Sequence, residues 1–296
     1  MGGGSYSYDA ASTRSYARKA MSSTEIFKNR SINNAMDPYG VRLRESRDSN
    51  EHPRSYPIII NLDVTGSMGS IPNYIVKMGL PKIMKKIMEA GIKDPQILFT
   101  AIGDHECDSS PLQIGQFESS DELLEHWLEN VYLEGGGGGN DGESYLLAWY
   151  FAANHTVTDS FEKRKQRGIC ITIGDEPTLK RVSAGILKGI MGNEQPQEVE
   201  ADKILEKAEE KWICYHIHVA QTRAGQEKST QNGWKQLMGS HLVMLEDKEN
   251  IDQVIADIVI KEYQNLDSPK VTKPETTSTV STTEVDDIDD NEEILM

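Results

Sequence analysis

Residues 58–69 constrain this chain more than any other stretch. Ile58, Ile59, Ile60, Asn61 and Leu62 form a β-branched run with no helical period, which reads as a buried strand. The run leads into Asp63, Val64, Thr65, Gly66, Ser67, Met68 and Gly69, a glycine-flanked turn that sets one carboxylate and two hydroxyls at the strand's carboxyl end. Open α/β sheets bind their ligands at that end. Oxygen donors converging from a tight turn suit a hard divalent cation such as Mg2+, Mn2+ or Ca2+. Taken alone, the same residues also describe a strand followed by an ordinary polar turn.

Three further stretches carry chemistry. A second apolar run, Gln96 to Ile102, ends in Gly103, Asp104, His105, Glu106, Cys107 and Asp108. These are metal-type side chains, but their spacing matches no compact metal motif, so the expectation is proximity to the main site rather than ligation by His105 or Cys107. Five glycines, Gly135 to Gly139, precede Asn140, Asp141, Gly142, Glu143, Ser144 and Tyr145. Such a run lets backbone approach another loop closely. A phosphate cradle is disfavoured, because the Gly-Lys-Ser/Thr ending is missing and the carboxylates would repel phosphate. A third strand, Ile169 to Ile173, ends in Gly174, Asp175, Glu176, Pro177 and Thr178. Farther on, Trp212 to Val219 reads as a strand with Cys214, His216 and His218 on one face. Inside a covered sheet that pattern is core polarity rather than a metal site.

The remaining segments complete an α/β alternation. A helix over residues 71–90 bends before Pro81 and closes at Gly91. Leu112 to Phe117 alternates as an antiparallel edge strand, and Ser120, Asp121 and Glu122 start a helix through about Asn130. An amphipathic helix carries Leu146, Leu147, Trp149, Tyr150 and Phe151, and Lys163 to Arg167 reads as a solvated connection. Helices follow around residues 179–191 and 197–211, then a sixth strand, His241 to Leu245, and a last helix over residues 247–264. The expected fold over residues 55–265 is α/β, a doubly wound Rossmann-like sheet, mostly parallel with one antiparallel edge strand and helices on both faces.

Residues 1–54 are expected to form an extended or partly disordered arm, basic and aromatic through Tyr6, Tyr8, Tyr16, Arg14, Arg18, Lys19 and Arg30. Such an arm packs on the domain, packs on a neighbouring subunit, or stays disordered. Residues 266–296, rich in Ser, Thr, Pro, Asp and Glu, are expected to be an acidic disordered tail. The formal net charge of −16 disfavours nucleic acid as a partner and favours cations or basic surfaces. Three cysteines without a C-x-x-C pair fit a reducing compartment. With no signal-type apolar region and no apolar run of membrane length, the expected location is the cytoplasm.

Three elements occur in order: Asp63-x-Thr65-Gly66-Ser67-Met68 after a strand, the glycine loop, and strand-Asp175-x-Pro177-Thr178. Together they resemble the metal-ion-dependent adhesion site (MIDAS) of a von Willebrand factor A (vWA) domain, whose pattern is Asp-x-Ser/Thr-x-Ser. The resemblance implies that Asp63, Thr65 and Ser67 hold an ion, Mg2+ first among the candidates, and that Asp175 completes the shell through a metal-bound water. The family's second loop usually supplies a threonine; this chain offers Asp141, Glu143 and Ser144, similar to relatives whose loop reads Gly-Gly-Gly-Asp-x-x-Glu. Ser144, Asp104, His105 and Glu176 are expected around the ligands.

The resemblance further implies a non-enzymatic module that binds a protein partner, with the partner's acidic side chain filling an open position on the ion. Intracellular vWA proteins of this kind, found in bacteria and their phages, are similar to adaptors of MoxR-type AAA+ ATPases. Two alternatives remain open. One is a structural or assembly subunit, phage-encoded and located in the virion, in which the ion only stabilises. The other is a metal-assisted hydrolase with His105 as general base and Asp104, Asp108 and Asp141 as further carboxylates.

Overall fold

All eight residues of Tyr56–Asp63 are buried, because this strand is covered on both faces and has neighbours on both edges. The structure, a computed structural model, describes residues 4–68, 70–134, 142–192 and 196–266. Ten strands occur among them: β1 (Arg44–Ser46), β2 (Tyr56–Asp63), β3 (Pro95–Ile102), β4 (Leu112–Ile114), β5 (Thr156–Thr158), β6 (Gly168–Gly174), β7 (Arg181–Val182), β8 (Val199–Glu200), β9 (Trp212–Val219) and β10 (Leu242–Leu245). Six of them form the central sheet in the order β10-β9-β6-β2-β3-β4. Every neighbour pair is parallel except β3 with β4, so the expected antiparallel edge strand is present. From β2 the chain passes first to β3 on one side and later to β6 on the other. A crevice therefore opens at the carboxyl ends of β2 and β6, where the winding reverses.

Alternate residues of β2 serve two cores. Ile58, Ile60 and Leu62 pack with the helices Leu80–Glu89, Asp121–Glu129 and Ile251–Leu266, while Ile59 packs with Tyr145–Asn154, Ala201–Glu209 and Lys228–Met238. Each buried aliphatic side chain of this kind contributes about 1.5–3 kcal/mol. The helix Tyr145–Asn154, expected to be amphipathic, is instead buried on nearly all sides; only Tyr150 and Asn154 are part-exposed. It lies between the sheet and the helix Ala201–Glu209, so it has no solvent face to make polar. The helices expected from residues 179 and 197 start later, at Ala184 and Ala201. The preceding residues form the antiparallel pair β7 and β8 instead.

The N-terminal segment takes the first of the arrangements open to it, but as a helix rather than an extended arm. It is helical over Tyr8–Arg18, capped by the Ser7 hydroxyl, and it packs on the domain. Arg14 Nε donates to Glu125 Oε2 at 2.6 Å, and Arg18 donates to the same atom at 2.8 Å. Arg14 also pairs with Asp121. Asp121 and Glu125 are buried, so the arm's arginines supply charge that the acidic domain would otherwise lack there. Ile26, Phe27 and Met36 enter the main core, and β1 pairs in parallel with β5.

The same segment explains the bend before Pro81. Residues Ile75–Gly79 form a π-turn, with Leu80 N–H bonded to Ile75 O. Pro81 has no N–H, and its ring would crowd the carbonyl four residues back, that of Lys77. The turn widens there, and the freed Lys77 carbonyl accepts a hydrogen bond from the Ser15 hydroxyl.

In the basic run Lys163, Lys165 and Arg167 are exposed, as expected of a solvated connection, while Lys163 and Arg164 close the helix Asp159–Arg164 and Arg164 donates to Asp48 Oδ2 at 2.7 Å. The proposed tail beyond Leu266 lies outside the described residues. No helix among the described residues is long and apolar enough to cross a membrane.

Asp159 offers a direct check on how the arm is held. Burial by itself would raise its carboxyl, but hydrogen bonds from Lys163, Arg47 and the Asp48 amide pull it down to about 2. The folded value lies below the unfolded one of about 3.9, so this stabilisation is present above that pH and fades as pH falls through about 2. Asp159→Asn should therefore lower stability at pH 7 by about 1–2 kcal/mol, with the gap to wild type closing toward pH 2 in urea titrations. A gap independent of pH would contradict the ion-pair account.

Candidate metal centre

Asp63 ends β2 with its side chain fully buried. Its Oδ1 accepts hydrogen bonds from the Thr65 amide at 2.9 Å and the Thr65 hydroxyl at 2.6 Å. Its Oδ2 accepts from the Tyr145 hydroxyl at 2.7 Å. The turn then tightens, with Met68 N bonded to Thr65 O, and leaves Ser67 exposed. Ser67 Oγ donates to Asp175 Oδ1 at 3.1 Å. Asp175 immediately follows β6 and is fully buried, yet its Oδ2 makes no hydrogen bond among the described residues. Asp63, Thr65, Ser67 and Asp175 thus converge at the crevice, two carboxylates and two hydroxyls.

Tyr145 was not among the residues expected to act here, and nothing local marks it. It begins the helix Tyr145–Asn154, and its hydroxyl reaches Asp63 across the end of β6 because Gly174 has no side chain. A Cβ on Gly174 would stand 1.7 Å from that hydroxyl. The ring is held edge-on by His216 and Trp234, each with centroids 5.3 Å away.

The neighbouring loops are laced to this centre through main-chain bonds. Glu143 N donates to Pro177 O and Leu179 N to Glu143 O, both at 2.9 Å, while Ser144 N donates to Gly103 O at 3.1 Å. Residues 142–144 therefore join the loop after β3 to the loop after β6. The Ser144 hydroxyl lies 2.8 Å from both the amide and Nδ1 of His105. The hydroxyl oxygen accepts from the amide, and burial lowers the His105 pKa, which favours the neutral ring.

Glu143 and Asp104 each keep one buried carboxylate oxygen without a hydrogen bond. Burial first, and then the charge of Asp63, push the Glu143 carboxyl well up. Burial also raises Asp63, against the hydrogen bonds from Thr65 and Tyr145 and with the charge of Asp175 adding to the rise. Among the described residues no three His, Cys, Asp or Glu side chains come together as a metal-holding group. Asp141 lies outside the described residues. Glu176 is half-buried, and its carbonyl accepts from the Trp234 indole at 2.9 Å.

Cys214, His216 and His218 are buried in β9, as core polarity requires. His216 stacks on Trp234 with centroids 3.5 Å apart, and its Nδ1 lies 2.9 Å from the Thr172 hydroxyl. His218 Nε2 donates to Gly225 O at 2.9 Å.

The donor set fits a hard cation. Mg2+ binds through one or two carboxylates and keeps several waters, which leaves the hydroxyls of Thr65 and Ser67 as further oxygen donors. An ion here would also give the unbonded Asp175 oxygen a partner and reverse the upward push on Asp63.

No protein-family model matches the chain, and no curated protein matches it. Solved structures similar to it include the pilus adhesin SpaC from Lactobacillus rhamnosus GG in its open conformation, with 7% identity and a TM-score of 0.48 over 75% of this chain and 31% of that one. Proximal thread matrix protein 1 from the mussel byssus matches with 11% identity and a TM-score of 0.42, covering 75% of this chain and 49% of that one. A von Willebrand factor type A structure from Catenulispora acidiphila matches with 14% identity and a TM-score of 0.36, covering 70% and 42%. The chain spans about a third of the length of the adhesin.

The close approach at Gly174 can be tested by a single methyl group. Gly174→Ala should displace the Tyr145 hydroxyl from Asp63 and cost about 2 kcal/mol or more in urea-denaturation stability. A variant as stable as wild type would show that the Asp63–Tyr145 contact is not fixed by this packing.

Proposed function

We propose that the chain is a metal-dependent protein-binding module. Asp63, Thr65, Ser67 and Asp175 would hold a divalent cation, Mg2+ first, and an acidic side chain of a protein partner would replace one of its waters. The observation that carries this reading is the pair of fully buried carboxylates at the strand ends, Asp63 and Asp175, with Asp175 bonded by Ser67 and keeping one oxygen without a hydrogen bond among the described residues. Buried charge without a positive partner is costly, and a cation relieves it. Ser67 is exposed, so the ion's outer side would face a partner rather than the core.

The resemblance to MIDAS-containing vWA domains supports the same reading and adds its finer form, an intracellular adaptor of a MoxR-type AAA+ ATPase. An assembly subunit with a merely stabilising ion predicts metal binding without metal-dependent capture. A hydrolase with His105 as base draws less support, because the Ser144 hydroxyl already engages Nδ1.

Calorimetric titration of Mg2+, Mn2+ and Ca2+ into wild type and Asp63→Ala tests the centre. The expected result is binding to wild type and a loss of about tenfold or more in the variant, or about 1.4 kcal/mol. No binding to either protein, or equal binding to both, would overturn the proposal. Capture of a host partner with Mg2+ that is reversed by EDTA then separates the adaptor from the assembly subunit.

A further inference from the structure

The hydrogen bonds on Asp63 leave little of its carboxylate free. A carboxylate offers about four lone-pair positions, two on each oxygen. The Thr65 amide at 2.9 Å and the Thr65 hydroxyl at 2.6 Å take both positions on Oδ1, and the Tyr145 hydroxyl at 2.7 Å takes one on Oδ2. Among the described residues nothing takes the last position, which lies on the oxygen that Tyr145 holds. Asp175 is dressed differently, because Ser67 bonds its Oδ1 and its Oδ2 has no hydrogen bond among the described residues. One carboxylate of the centre is clamped and the other has an oxygen to itself.

The hydroxyl of Tyr145 has no packing reason to be there. The helix that Tyr145 begins is otherwise apolar through Leu146, Leu147, Ala148, Trp149 and Phe151, all buried, and a phenylalanine would fill the same space. A buried hydroxyl is costly unless it is bonded, and its bond goes to Asp63. The ring carrying it is fixed edge-on to His216 and Trp234. Trp234 is itself held by stacking on His216 and by its indole bond to Glu176 O. Gly174 supplies the gap through which the hydroxyl passes. Several elements thus converge on the orientation of one carboxylate oxygen.

We propose that Tyr145 is a positioning residue that sets the ion preference of the centre. Its hydroxyl stops the Asp63 carboxylate from turning, so that Asp63 meets the ion through a single fixed oxygen. Such a donor suits Mg2+, which demands near-ideal octahedral geometry at about 2.0–2.1 Å and keeps several waters. It serves Ca2+ poorly, since that ion takes about six to eight oxygens at about 2.3–2.6 Å in a flexible shell, often with both oxygens of a carboxylate. The inference rests on the metal-dependent reading and adds the residue that chooses the ion.

Calorimetric titration of Mg2+ and of Ca2+ into the full chain and into Tyr145→Phe provides the test. Tyr145→Phe keeps the ring and should fold, which urea denaturation without metal checks. Mg2+ should bind the variant about tenfold or more weakly than wild type, the usual scale for losing a hydrogen bond that orients a metal ligand. Ca2+ should weaken by a smaller factor, so the preference for Mg2+ narrows. Asp63→Ala should lose both ions. In wild type, Mg2+ should also shift the near-ultraviolet tyrosine absorption, because the cation draws charge from the carboxylate that Tyr145 bonds. Tyr145→Phe should lack that shift. A residue that only fills space would leave both affinities unchanged. Equal Mg2+ affinity in wild type and Tyr145→Phe, an equal loss for the two ions, tighter binding of Ca2+ than of Mg2+ by wild type, or Mg2+ binding with no tyrosine shift would overturn the role of Tyr145 and leave the ion centre standing. No binding of Mg2+ to wild type would overturn both.

Discussion

The buried carboxylate of Asp63 is the constraint on which the rest of the centre depends. Taking a carboxylate out of water costs several kcal/mol unless hydrogen bonds or an opposite charge compensate. The fold compensates with three hydrogen bonds drawn from two elements, two from Thr65 in the turn and one from Tyr145 at the start of a buried helix. Each bond fixes more than a side chain. The Thr65 bonds shape the turn that presents Ser67, and the Tyr145 bond requires Gly174 at the end of β6 and the aromatic packing around His216 and Trp234. Asp175 then arrives beside the turn without a cationic side chain of its own among the described residues, which is the electrostatic deficit a divalent ion would fill.

The scaffold places that deficit at the switch point of the sheet, where the loops after β2 and β6 diverge and leave a crevice. Positions around it are held by main-chain bonds rather than by long side chains, as in the lacing of residues 142–144 to the loops after β3 and β6. Such bonds fix a site with little side-chain entropy left to lose on binding. The N-terminal helix serves a separate need. Arg14 and Arg18 neutralise buried Asp121 and Glu125, and Ser15 takes up the carbonyl freed at the π-turn before Pro81. That segment is part of the domain's electrostatics.

A centre with buried charge on the inner side and exposed Ser67 on the outer side separates two tasks. The inner carboxylates would hold an ion, and the outer side would face a partner. Beside the inner pair, Glu143 is pushed up by burial and then by the charge of Asp63.

Much of this was readable from residues close together in the chain. The Ile58–Leu62 run, the capped helix after Ser120 and the Pro81 bend depend on local period and turn chemistry, so the α/β order and the positions of Asp63 and Asp175 at strand ends could be inferred directly. The arm and the helix Tyr145–Asn154 could not. Ion pairing of Arg14 with Glu125 spans 111 residues, and complete burial of an apolar helix depends on which neighbours cover it. The Tyr145 hydroxyl meets Asp63 across 82 residues, through a gap made by a glycine on a third strand. The amino-acid sequence by itself determined which oxygen donors stand at the ends of which strands. Only the tertiary structure decided that two of those carboxylates are buried together and which of their oxygens lack partners, because burial and electrostatic coupling are set by distance in space.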